Sequence, residues 1–387
     1  MNRRESVKVI AAATVGLILG FFYGRLTASN SQIESDETMS PAANTPHVTK
    51  EHADATTAPS STAIIIPTSA DTPQPIIMPT PADQSWPIQV VDSMKETKDR
   101  VENQRDDDFV NKWMDAASEL GVTHVAIDTP LDNPKGEDSI DYTRRWLNAA
   151  RKRSLLVFHR HMPLTAEGIY DRKKNPDVDY LKMVEDYVIQ HPDFFREGDI
   201  FSVPEIQNWG IKGGTYCPQD VCIFDSRESY NTFIRDLASV AETAFAGIDL
   251  KDKVKVWGHG FDGFVTAGLD NPDWEGKSFI EPATMLAMDN VLSLDHYPNP
   301  SAKMETDLEI IRNVWPQALL FISEWGTIHG ESVSEMRKVL EIFQRYPVIG
   351  INYWHMGMGG QEALLEDDFS KTDRFEELKA WFHGQRG

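Results

Sequence analysis

Cysteine is almost absent: the chain has two, Cys217 and Cys222, close together in C-P-Q-D-V-C. Two thiols cannot make a four-cysteine zinc site, and the spacing is not C-x-x-C, so that structural metal and thioredoxin-like chemistry are excluded. Outside the cytoplasm a small-loop disulfide is the expectation for this pair. Positive charge is also scarce. Lys and Arg number 38 against 60 Asp and Glu, a formal charge of −22, which argues against nucleic acid and anionic polymers as partners. A neutral or cationic substrate suits that balance. There is no glycine-rich loop between a strand and a helix, which weakens the doubly wound open sheet as a fold. No internal repeat is evident.

The first charge-free stretch runs from Val9 to Gly24, preceded by Arg3, Arg4 and Lys8 and followed by Arg25. Such a run with a basic flank is expected to be an export signal, slightly short for a full span, with Lys8 able to snorkel. We expect residues 1–28 to act as an uncleaved signal anchor, with cleavage near Thr27-Ala28-Ser29 as the alternative. Residues 29–85 contain no aromatic, no Cys and no Gly, and are rich in Ser, Thr, Ala and Pro. A segment of that composition buries too little apolar surface to order itself, so a disordered spacer is expected. The protein is then expected to be extracytoplasmic, held to the membrane through the N-terminal helix or secreted if that helix is removed, with its substrate as partner and a monomeric state.

What remains, 86–387, alternates short apolar runs with amphipathic stretches. Candidate strands are Ile88–Met94, Thr123–Asp128, Leu155–His161, Ile200–Glu205, Val254–His259, Val291–His296, Leu319–Glu324 and Val348–Trp354. Phe109, Trp113, Ala117 and Leu120 repeat at helical spacing and stop at Gly121; Phe233, Leu237, Val240 and Ala244 do so before Gly247. Ser332 with Glu335 predicts a capping box, opening a helix that turns Met336, Val339, Leu340 and Phe343 inward. Eight strands alternating with helices over this length predict an α/β fold, the (β/α)8 TIM barrel.

Working residues of such a barrel sit at the C-terminal strand ends. Strand 7 reads L-L-F-I-S-E-W-G and puts Glu324 there; strand 4 reads I-F-S-V-P-E-I-Q-N-W and puts Glu205 at the equivalent height. A carboxylate after an apolar run is expensive to bury without a role. Hydrolysis of a glycosidic bond with retention needs two carboxyls about 5–5.5 Å apart, one as acid/base and one as nucleophile. Strands 4 and 7 face each other across a barrel mouth. The expectation is an O-glycosyl hydrolase acting through a covalent glycosyl-enzyme intermediate, with no cofactor, since carboxyl groups and water suffice.

At these residues the chain resembles the clan of retaining glycoside hydrolases (clan A) whose acid/base follows strand 4 and whose nucleophile follows strand 7, family 5 cellulases and mannanases among them. The I-S-E-W-G segment is similar to the clan's nucleophile segment. The resemblance implies a β-linked oligo- or polysaccharide substrate, with Glu205 as acid/base and Glu324 as nucleophile. It further implies that Tyr297, in L-D-H-Y-P, hydrogen-bonds the nucleophile and that Trp354, in N-Y-W-H, floors the subsite of the cleaved sugar. Two positions depart from the clan. Pro204 stands where Asn usually precedes the acid/base, and strand 2 ends Asp128-Thr129-Pro130 where many members carry Arg.

Strand 3 ends F-H-R-H, so His159 and His161 share one face; with His259, Asp295 and His296 they are candidates for binding sugar hydroxyls. Asn208 and Trp209 after strand 4, Trp257, and Trp325 are further substrate-binding candidates, aromatic faces being suited to stacking on pyranose rings. Two other readings stay open. His159, His161, His259 and Asp295 would suit a metal-dependent amidohydrolase-type barrel, and Pro204 leaves room for a barrel that binds glycan without cleaving it.

Overall fold

The apolar runs and amphipathic stretches form alternating strands and helices in the computed structural model, which describes residues 86–98, 104–127, 139–161, 179–203, 226–258, 280–298, 300–357 and 362–384. All lie in one of the two units into which the chain divides, Gln74–Gly387. The expected anchor and spacer, 1–28 and 29–85, lie outside the described residues. Among the described residues no helix is long and apolar enough to cross a membrane.

The strands are β1 (Ile88–Asp92), β2 (His124–Ile127), β3 (Leu156–Arg160), β4 (Ile200–Ser202), β5 (Lys255–Trp257), β6 (Val291–Asp295), β7 (Leu319–Trp325) and β8 (Val348–Tyr353). The helices are α1 (Met94–Thr97), α2 (Asp107–Leu120), α3 (Ser139–Arg151), α4 (Tyr180–Gln190), α5 (Arg227–Gly247), α6 (Pro282–Leu286), α7 (Lys303–Val314), α8 (Val333–Gln344) and α9 (Asp373–Phe382). Every ladder is parallel, and the eight strands run in the order β5-β4-β3-β2-β1-β8-β7-β6. One inner cluster takes a side chain from each of β1 to β7, namely Val90, Ala126, Phe158, Ile200, Trp257, Val291 and Phe321, with Ile349 of β8 packed against it. That shared interior joins the two ends of the ladder and makes the sheet a barrel.

Alternate residues face the other way, with one extra residue in β8 between Val348 and Gly350 resetting its alternation. Val91, Val125, Val157, Phe201, Val256, Leu292, Ile322 and Ile351 join the outer cluster, which includes Trp113, Trp146, Val184, Leu237, Leu308 and Leu340 of the helices. Each such side chain, fully buried, stabilises the fold by about 1.5–3 kcal/mol. Helix α2 ends as the periodicity requires, with Gly121 left-handed at φ 90°. The capping box is present at α8: the Ser332 hydroxyl accepts from the Glu335 amide, and the Glu335 carboxylate accepts from the Ser332 amide at 2.8 Å. Helix α5 does not stop before Gly247 but takes it in as its last residue, with Ile248 as C-cap.

At Gly350, in the middle of β8, a Cβ would stand 2.6 Å from the Ile88 Cβ and 2.7 Å from its carbonyl oxygen. The backbone oxygen cannot swing aside, so Gly350→Ala must push β8 away from β1. We expect a loss of about 1–3 kcal/mol, read as a lower urea midpoint at unchanged slope.

Candidate active site

Simple alternation along β7 would not bring Glu324 into the barrel. Phe321 belongs to the inner cluster and Ile322 to the outer one, so Glu324 would fall on the outer face. A bulge corrects this. Between the pairs Ser293↔Phe321 and Asp295↔Glu324, β7 uses one residue more than β6; between Ile322↔Ile351 and Trp325↔Tyr353 it uses one more than β8. Bulges re-aim side chains near active sites. Here the extra residue turns Glu324 to the interior and sends Trp325 outward, where its ring packs against Phe343 (5.2 Å) and Tyr353 (5.7 Å). Trp325 is therefore a wall residue, not the mouth aromatic expected of it.

Glu324 is almost buried, at 7% exposure. Its Oε2 meets Nη2 of Arg160 at 2.7 Å, and its Oε1 accepts from the Tyr297 hydroxyl at 2.8 Å. The same guanidinium gives Nη1 to Asp92 Oδ2 at 2.5 Å. Asp92 Oδ2 also accepts from Asn352 Nδ2 at 2.7 Å, and Asp92 Oδ1 from the Met94 amide at 2.7 Å. Asn352 Nδ2 reaches the Ser323 carbonyl as well, at 2.8 Å. Removing one partner of a buried pair leaves the other charge uncompensated, at a cost of about 3–5 kcal/mol.

Arg160, Asp92 and Asn352, which the sequence did not single out, complete the surroundings of Glu324. A signal existed for Arg160: it lies two positions after Phe158, and if that Phe fills the barrel the arginine shares its face.

Tyr297 follows β6 and stays a phenol, because burial and then the Glu324 and Asp295 charges push its hydroxyl well above its usual value. It therefore donates at any physiological pH. Trp354, half-buried beyond β8, sets its ring edge-on to Tyr297 at 6.0 Å, with Lys95 Nζ 5.0 Å from its own ring centre. The Trp354–His355 peptide is cis. Trp354's carbonyl oxygen comes so close to Gly326 that no Cβ fits there, which explains the glycine in E-W-G. Asp295 is half-buried and is the register partner of Glu324. The structure thus brings Glu324, Tyr297, Asp295 and Trp354 together at the C-terminal end of β6 to β8, where ligands bind such barrels. Glu205, Asn208, Trp209, His259, Cys217 and Cys222 lie outside the described residues, as do Pro204 and Asp128.

Solved glycoside hydrolases share this barrel. The chain aligns with a GH5_18 protein from Bifidobacterium longum subsp. infantis at TM-score 0.55 and 12% identity, over 77% of this chain and 79% of that one. A GH5_18 variant from Streptomyces cattleya in complex with Manb1-4GlcNAc gives TM-score 0.57 and 13% identity, over 77% and 80%. GH5_18 from Streptomyces cattleya in complex with GlcNAc gives 0.55 and 12%, over 78% and 81%. At these identities the likeness is one of fold. No protein-family model matches the sequence, and no curated protein does.

Four further expectations need correction. His159 and His161 alternate with Arg160 and so lie on the outer face of β3. His159 contacts Phe195 (4.7 Å) and Asp199 (Nε2 to Oδ2, 3.4 Å), and His161 stacks on Tyr187 (4.6 Å) near Phe201. Neither lines the mouth. Asp199 also binds the Arg151 guanidinium on both its oxygens. Burial works to raise the Asp199 carboxyl, but the hydrogen bonds of His159 and Arg151 outweigh it and hold that group well below the usual carboxylate range. Because Asp295 is inside the barrel, His159 and His161 cannot share a metal with it, and the amidohydrolase-type reading loses its ligand set. His296 turns to α7, its Nε2 2.9 Å from Asp307 Oδ2. Trp257 lies in the inner core, 4% exposed, its ring 5.4 Å from Phe321, and offers no stacking platform.

Burial, and then the neighbouring His159, push the His161 imidazole down from 6.5 to about 3. Its folded value lies below its unfolded one, so the stability it carries is complete above pH 6.5 and declines as pH falls from there toward 3. Replacing His161 by Phe should remove that decline: by about pH 4.5 the variant should have lost about 2–3 kcal/mol less than the parent, measured by urea unfolding across pH.

Proposed function

We propose that this chain is a retaining glycoside hydrolase, with Glu324 as nucleophile and Glu205 as general acid/base. The observation that carries the reading is the carboxylate of Glu324 at the open end of the barrel, held by Arg160 and by Tyr297, whose ring meets the half-buried Trp354. A guanidinium and a phenol both donate to Glu324, so the group they hold is an acceptor, and its orientation is set before any substrate arrives. Trp354 offers a ring face on which a pyranose can rest. The barrels it resembles in fold include one described with Manb1-4GlcNAc, which supports a β-linked oligosaccharide as substrate.

In the reaction Glu205 gives its proton to the departing glycosidic oxygen while Glu324 attacks the anomeric carbon. Glu205 then takes a proton from water, which displaces Glu324 and restores the starting configuration. Tyr297 keeps Glu324 aimed and must release part of its hold as the glycosyl–carboxylate bond forms. Residues 1–28 anchor the enzyme outside the cytoplasm, 29–85 hold it off the membrane, and Cys217 and Cys222 close a disulfide.

A 2-fluoro glycoside with a good leaving group should label Glu324 covalently, as read by peptide mass spectrometry, and proton NMR should show the product anomer with retained configuration. Inversion, or a label on another carboxylate, would sink the mechanism; glycan binding with no turnover at all would leave a lectin-like barrel. Tyr297→Phe removes a hydrogen bond to a charged group and should lower kcat about tenfold to a hundredfold, with circular dichroism unchanged.

A further inference from the structure

Asp92 is fully buried on β1 and touches no candidate substrate-binding group among those described, yet it is bound to the residue that holds Glu324. Arg160 enters from β3 and spans the two carboxylates, Nη1 to Asp92 and Nη2 to Glu324. The hydrogen bonds then close on themselves. Asp92 accepts from Asn352 of β8, Asn352 donates to the Ser323 carbonyl, and Ser323 is the residue before Glu324. β7, β3, β1 and β8 are joined in one circuit at the level of the bulge.

The geometry points to Asp92 as a positioning residue that sets the place of the Glu324 carboxylate through Arg160. An arginine bound at one end only can turn about its side-chain bonds; bound at Nη1, its plane is fixed and so is the point where Nη2 meets Glu324. Asp92 also takes a share of the guanidinium charge, so Glu324 is oriented without being fully neutralised. The inference rests on the glycosidase reading for its consequence in catalysis, but not for the coupling itself.

Two readouts separate these. In protein labelled with 15N-arginine, the Arg160 Nη–H resonances, assigned by their loss in Arg160→Lys, should be resolved in the parent and should collapse in Asp92→Asn. With aryl β-glycosides, Asp92→Asn should lower kcat about 100-fold at nearly constant KM, after active sites are counted by fluoro-sugar labelling. The double variant Asp92→Asn/Arg160→Lys should be no slower than the worse single one. If Asp92→Asn does not fold, Asn352→Ala cuts the same circuit at another bond and is read in the same way. Resonances unchanged by the substitution overturn the proposal, as does a kcat that survives their collapse. Collapse of the resonances in a protein that hydrolyses no glycoside upholds the coupling and defeats the glycosidase reading instead.

Discussion

One guanidinium shared by two buried carboxylates governs this barrel's open end. Arg160 sits between Asp92 and Glu324, and all three are at least nine-tenths removed from solvent. A charge buried that deeply persists only when paired and hydrogen-bonded, and here each partner has further contacts: Met94 and Asn352 for Asp92, Tyr297 for Glu324. The ionic bridge spans the barrel interior from β1 to β7, strands separated in the sheet by β8. The chain has no arginine at the end of its second strand, and the third strand supplies the cation that Glu324 meets.

The bridge in turn depends on one irregularity. Without the extra residue in β7, Glu324 would face the helices and Trp325 the barrel interior. The bulge exchanges them, and the consequences extend outward: Trp325 becomes part of the packing beneath α8, while its carbonyl accepts from the Trp354 amide at 2.7 Å. Gly326 lets the Trp354 backbone approach, which places the Trp354 ring next to Tyr297. Glu324 and Trp354 are thus brought toward Tyr297 by one backbone feature and one glycine.

Opposite faces of the same strands serve opposite ends of stability. On β3 the inner Phe158 and Arg160 fill the barrel and hold the site, while the outer Val157, His159 and His161 pack against helices and aromatic rings. Burial pushes both imidazoles below their ordinary value. Their placement is a folding matter. It ties stability to acidity without touching the open end.

Much of this was legible before any coordinates. Eight strands are expected and eight are found among the described residues, each within a few residues of its expected bounds, because apolar runs bounded by turn residues mark strands well. Glu324 stood out because it closes an apolar run, and Tyr297 and Trp354 through the clan resemblance; the structure brings the three to one end of the barrel. The histidines misled, because alternation says which residues share a face and never which face is inside. By itself the sequence determined the order of strands and helices, the capping of α2 and α8 and the strand ends at which polar side chains follow apolar runs, all local properties of spacing and residue type. Only the tertiary structure decided that Arg160 rather than its histidine neighbours turns inward, that a bulge re-aims Glu324, and that Asp92 and Asn352 complete its surroundings. Those choices depend on how strands far apart in the chain close around a shared interior, and no local pattern encodes that closure.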